Sequence, residues 1–193
     1  MHMRIGLYFG SFNPIHTGHL IIANHILNET DLQKVWFVLS PQNPFKASGT
    51  LLNEYDRLHL VQKAIGDDGR MKASDIEFNL PKPSYTANTL AYLKEKHSGY
   101  SFSIIMGSDS FQNLSKWHNG SWILQNYTIY VYERPGFHVE HVPENVISIK
   151  APLLDISATH IRTLIKEGKS IRYLVPEVIV SDLETINFYK KLK

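Results

Sequence analysis

At 193 residues and 43% hydrophobic content the chain is long enough for one well-buried core, and without a repeat or a polar tract a single domain spanning residues 1–193 is expected. The 20 Lys plus Arg nearly balance 18 Asp plus Glu, which argues against a protein that coats nucleic acid or a membrane surface. The absence of cysteine excludes disulfides, thiol nucleophiles and Cys-based zinc sites. No signal-peptide core precedes the first apolar segment, and no later run approaches the length of a membrane span, so a cytoplasmic location is expected.

In chain order, residues 5–9 form a short continuous apolar run that predicts a buried strand. Residues 18–28 predict a helix that is apolar on more than one side, since Leu20, Ile21, Ile22, Ile26 and Leu27 cannot share one stripe. A second strand is predicted at residues 35–39, followed by a loop carrying Pro41, Asn43, Pro44 and Gly49 and a helix over residues 54–65. Then come a helix at 86–96, for which Ser84 or Thr86 is the expected cap, a strand at 102–106, a short helix near 111–114 and a strand at 129–132. Ser157 is placed to cap a helix from Ala158 to about Glu167, which Gly168 would end, and a last helix is predicted around 183–192. Apolar strands joined by helices indicate a parallel α/β sheet covered on both faces, with ligands gathering at the carboxyl ends of its strands.

The most informative stretch is Gly10-Ser11-Phe12-Asn13-Pro14-Ile15-His16-Thr17-Gly18-His19, which leaves the first strand and opens the first helix. Gly10 and Gly18 allow close backbone approach, the helix start offers unpaired N–H groups and positive dipole, and His16 and His19 place two imidazoles on one side. That set suits a polyphosphate. A zinc site would need a third or fourth ligand, which neither Cys nor a Glu-His pattern supplies, so no metal ligands are assigned.

Ile156-Ser157-Ala158-Thr159-His160-Ile161-Arg162 supplies hydroxyls and a guanidinium at another helix start, a second anion cradle or simply a Ser-capped helix with a solvated Arg. The remaining marked segments are Pro41-Gln42-Asn43-Pro44-Phe45-Lys46, Ser84-Tyr85-Thr86-Ala87-Asn88-Thr89-Leu90, Gly107-Ser108-Asp109 with Trp117 beyond it, and Tyr132-Glu133-Arg134-Pro135-Gly136. Each alone has an ordinary reading as loop, cap, core aromatic or surface turn.

Together, in this order, they resemble the nicotinate-nucleotide adenylyltransferase family of the nucleotidyltransferase superfamily, through its HxGH, ISSTxxR and SYTxxTL signatures, from Ile5 to about Pro176. Phe9 stands in place of a common glycine, Asn13 of the usual aspartate, Phe45 of a histidine and Ala158 of a serine. The resemblance implies a Rossmann-like doubly wound fold and transfer of AMP from ATP to nicotinate mononucleotide. It implies that His16 and His19 are catalytic and face the ATP phosphates, and that Gly10, Ser11, Phe12, Gly18, Lys46, Ser157, Thr159 and Arg162 bind them. Tyr85, Thr86, Gly107, Asp109, Trp117 and Arg134 are placed at the mononucleotide or nucleotide, with Trp117 stacking on the nicotinate ring. Mg2+ would arrive with ATP, held mostly by substrate oxygens and water. Neither nucleic acid nor membrane is an expected partner, and a homo-oligomer is compatible with the sequence. The alternatives are an adenylyltransferase for nicotinamide mononucleotide or another small molecule, and a nucleotide-binding module without turnover.

Overall fold

The computed structural model of the chain describes residues 2–42, 50–139, 142–152 and 155–191. Its sheet contains β1 (Met3–Gly10), β2 (Lys34–Leu39), β3 (Met71–Ser74), β4 (Tyr100–Gly107), β5 (Ile129–Tyr132) and β6 (Val146–Ile149), all parallel, in the order β3-β2-β1-β4-β5-β6. The chain starts in the middle, winds outward to β3 and then crosses back over β1 to β4. The reversal leaves a crevice at the carboxyl ends of β1 and β4, where a doubly wound sheet binds its ligands. This is the expected Rossmann-like α/β architecture.

Two apolar clusters cover the two faces, and the alternation along each strand decides which residue joins which. Val35, Phe37 and Leu39 of β2, Ile105 of β4 and Tyr130 and Tyr132 of β5 enter one cluster, while Trp36, Val38, Ile104, Met106, Ile129 and Val131 enter the other. Fully buried side chains such as Phe37, Leu7 and Ile26 each contribute about 1.5–3 kcal/mol of transfer free energy.

The first face is covered by α1 (Thr17–Glu29), α2 (Glu54–Ile65), α6 (Ala158–Lys166), α7 (Val180–Thr185) and α8 (Asn187–Lys190); the second carries α3 (Thr86–Lys96) and α5 (Gly120–Asn126). A short α4 (Ser108–Gln112) leaves β4 directly. In α1, Ala23 and Ile26 are buried and Leu20, Ile22 and Leu27 half-buried against the first cluster, whereas Asn24 and Asn28 face outward to Arg70. These residues thus pack on one side of the sheet. Helix α2 starts at Asn53, whose side chain accepts from the Tyr55 N–H at 2.9 Å, and ends at Gly66 with φ +58°.

Three expectations are corrected. The single last helix is two, because Ile186 takes an extended ψ of 100° between α7 and α8. The helix expected near 111–114 starts earlier, at Ser108, and gives way to a 3₁₀ turn at Leu114–Lys116. Neither Ser84 nor Thr86 caps α3: its cap position is Tyr85, whose side chain makes no capping hydrogen bond. Among the described residues no helix is long and apolar enough to cross a membrane.

Candidate active site

Above the β1/β4 reversal lies a cleft of about 800 Å³, bordered by the loop after β1, the starts of α3 and α6, and the segments following β4 and β5. Apart from Gly18, every site residue proposed from sequence that lies among the described residues lines it. Lys46, together with Asn43, Pro44 and Phe45, lies outside the described residues.

The two histidines sit one above the other. Their ring centroids are 3.6 Å apart at 25°, and the His16 backbone N–H donates to His19 Nδ1 at 3.2 Å. In the neutral ring that bond leaves the His19 proton on Nε2. The edges of Phe12, at 5.1 Å, and Tyr8, at 5.9 Å, hold the His19 ring in place. His16 is only 6% exposed, and burial, then the positive charge of Arg134, push its pKa down from 6.5 to about 4. Its Nδ1 is buried without a hydrogen-bond partner among the described residues. Gly18 lies behind it: a Cβ there would approach His16 Nδ1 to 3.1 Å, so this glycine makes room for the imidazole instead of facing the cleft.

Phe12 is held at φ +43°, its ring folded over Gly10, where a Cβ would come within 2.8 Å of it. With 3% of its surface exposed, Phe12 offers the cleft backbone rather than side chain. Asn13 is a junction. Its Nδ2 donates to the Thr50 carbonyl at 2.7 Å, while its Oδ1 accepts from the Leu52 N–H at 3.2 Å and from the Tyr189 hydroxyl at 2.7 Å. A carboxylate could not make the first of these bonds.

The α6 start meets this loop directly. Arg162 donates from one guanidinium nitrogen to the Asn13 carbonyl at 2.8 Å and from the other to Thr159 Oγ1 at 3.2 Å. Ser157 Oγ caps the helix by accepting the His160 N–H at 3.2 Å. Ala158 lines the cleft beside them without a hydroxyl.

On the opposite side of the reversal, Asp109 Oδ2 pairs with Arg134 at 3.2 Å. Gly107 is required beneath them, since a Cβ there would lie 2.8 Å from Arg134 Nε. Arg134 also donates to the Tyr132 hydroxyl at 3.0 Å, which meets the Tyr8 hydroxyl at 3.0 Å. Burial, followed by the neighbouring Tyr132, raises the Tyr8 phenol well above its ordinary range and keeps it neutral. Asp109 Oδ1 is buried and without a partner among the described residues.

Half-buried Tyr85, Thr86 and Trp117 form the remaining wall with His118, whose ring lies 4.8 Å from that of Tyr85. Behind them Glu77, 1% exposed, accepts the Thr89 hydroxyl at 2.8 Å and ties α3 to the turn Ile76–Asn79. Burial raises its pKa. Sequence reasoning missed Tyr8, Glu77 and Arg57. The available signals were an acid shortly before the SYTxxTL-like segment and an arginine within an otherwise core-facing row of α2.

Residues 7–164 match the model of the cytidylyltransferase-like family. A Cytophaga hutchinsonii protein named "Probable nicotinate-nucleotide adenylyltransferase" is 50% identical over 97% of this chain and 98% of its own length. A Flavobacterium psychrophilum protein of the same name is 50% identical over 98% of this chain and all of its own. The structure of Plasmodium falciparum nicotinic acid mononucleotide adenylyltransferase complexed with NaAD superposes with a TM-score of 0.84 over 98% of both chains at 21% identity, a likeness of fold. The chain belongs to the cytidylyltransferase-like family and, within it, to the nicotinate-nucleotide adenylyltransferases.

Proposed function

We propose that the chain transfers the adenylyl group of ATP to nicotinate mononucleotide in the cytoplasmic synthesis of NAD, releasing nicotinate adenine dinucleotide and pyrophosphate. The observation that carries this reading is one cleft shared by two candidate phosphate cradles, at His16/His19 and at Ser157/Thr159/Arg162, and by the start of α3. An ionised phosphate is already a nucleophile at neutral pH, so no side chain has to make one. A phosphate oxygen of the mononucleotide attacks the ATP α-phosphorus in line, the new P–O bond forms as the bond to the β-phosphate oxygen breaks, and the electron pair leaves on pyrophosphate.

The protein then has to hold two polyanions together and stabilise the charge that develops. His19, donating through Nε2, and the N–H groups of the Gly10–Phe12 loop serve the α-phosphate; Arg162 and the α6 start serve the leaving pyrophosphate. His16 is neutral in the free protein, and phosphate charge at its ring would raise its pKa as ATP binds. Among the described residues no three His, Asp or Glu side chains gather to hold a metal. Mg2+ would therefore be carried on the ATP phosphates, where it neutralises part of their charge.

At the other end, the first-turn N–H groups of α3 beside Tyr85 and Thr86 present positive dipole to the nicotinate carboxylate, with Trp117 available to stack on the ring. The unpartnered Asp109 Oδ1 suits a ribose hydroxyl. Purified protein given Mg2+, ATP and nicotinate mononucleotide should release pyrophosphate only when both substrates are present. His19→Ala, folded by circular dichroism, should lower kcat on the order of a hundredfold, as expected for loss of a donor at developing charge. Absence of pyrophosphate from the wild-type reaction would leave a nucleotide-binding module without turnover.

A further inference from the structure

Arg57, on α2, is the largest fully buried side chain in the molecule's described part, with 0% of its surface exposed. Among the described residues its guanidinium hydrogen-bonds no carboxylate. It donates instead to four backbone carbonyls: Leu52 at 2.9 Å, Ser40 at 3.0 Å, Pro41 at 3.5 Å, and Ser11. These belong to three separate segments, namely the turn before α2, the end of β2, and the phosphate loop after β1. A guanidinium stays protonated in a protein, so a full positive charge is hydrogen-bonded to carbonyl dipoles, with the charge of Glu54 acting on it from further off. Burying such a charge is costly, and a well-packed apolar side chain would fill the space more favourably if only packing were needed.

The bond to Ser11 has a directional consequence. The Ser11–Phe12 peptide is trans, since the cis bonds are Asn13–Pro14 and Lys82–Pro83, and a trans peptide points its N–H opposite to its C=O. With the Ser11 carbonyl drawn down onto Arg57, the Phe12 N–H is turned away from α2, and Phe12 takes its φ of +43°. Ser11 and Phe12 both border the cleft, and the Ser11 hydroxyl is itself buried without a partner among the described residues.

We propose that Arg57 is a positioning residue for the adenylyl transfer: it fixes the Ser11–Phe12 peptide so that its N–H faces the ATP phosphates, and it sets a buried positive charge beneath them. This rests on the ATP reading of the cleft given above. Lysine keeps the charge but lacks the fork that reaches four carbonyls at once. R57K should therefore raise the KM for ATP at least tenfold and lower kcat, with the KM for nicotinate mononucleotide within twofold of wild type. A folded R57K with unchanged ATP kinetics, or with both KM values raised alike, overturns the proposal.

Should R57K fail to fold, the wild-type protein decides. In 15N-labelled protein titrated with ATP and Mg2+ but no mononucleotide, the Phe12 amide and the Arg57 guanidinium resonances should shift together with the other amides of the loop. Shifts in the rest of the loop that leave Phe12 and Arg57 unmoved overturn the role of Arg57 while sparing the ATP site. No shift anywhere in the loop overturns both.

Discussion

His16 shows how one side chain links folding to binding. Buried and neutral in the free protein, its imidazole has a pKa of about 4 against the ordinary 6.5 of an unfolded chain. Between those values the unfolded chain binds the proton and the folded one does not, so stability that is complete above pH 6.5 is lost as pH falls toward 4, about 3 kcal/mol from this group. In urea titrations His16→Asn should lose less stability than wild type between pH 7 and pH 4.5; equal losses would remove His16 from this role. Asn13 makes a different point. As a substitution for aspartate it is unexplained by sequence, yet its amide is the group that lets one side chain donate to Thr50 while accepting from Leu52 and Tyr189. The partners come from residues up to 176 positions away in the chain, and no local pattern announces them.

At the scale of elements, the two signatures prove to be two helix starts joined by a side chain. Arg162 leaves α6 and bonds the carbonyl of Asn13 in the loop that opens α1, so the guanidinium is already oriented before ATP arrives. On the proposed function, removing it would take a donor fork from phosphates that gain charge and would also free the loop. Arg162→Ala should raise the KM for ATP and depress kcat, and Arg162→Lys should restore only part of the loss, because a point charge lacks bidentate geometry. The KM for nicotinate mononucleotide should change much less. Steady-state kinetics with each substrate varied in turn checks this, and a variant that weakens the mononucleotide while leaving ATP intact would move the second cradle elsewhere. Helix α3 is the complementary case, for the sequence pattern marks its segment but not its cap. The side-chain letters Ser84 and Thr86 suggest a capped start, whereas the backbone leaves that start open toward the cleft.

Across the whole molecule, what could be read from sequence was what lies at its centre. Strands β1, β2, β4 and β5 are buried on both faces and therefore written as continuous apolar runs. The edge strands β3 and β6 are four residues each and expose Lys72 or Ile147 and Ser148, too short and too mixed a pattern to separate from loop. Helix α5 opens on Gly120 after Asn119 at φ +55°, without a side-chain cap to mark it. The cleft residues fell into place because family signatures name them, whereas the Arg57, Glu77 and Tyr8 interactions that support them depend on side chains meeting across elements. Selection between acid and amide substrates lies in the same class, since backbone N–H groups at α3 would make it. A carboxylate at a helix start is worth about 0.3–2 kcal/mol, and tenfold selectivity needs about 1.4 kcal/mol. The most direct measurement is kcat/KM for nicotinate and nicotinamide mononucleotide side by side with ATP and Mg2+: the account predicts at least a tenfold preference for the acid, and equal or reversed values would contradict it.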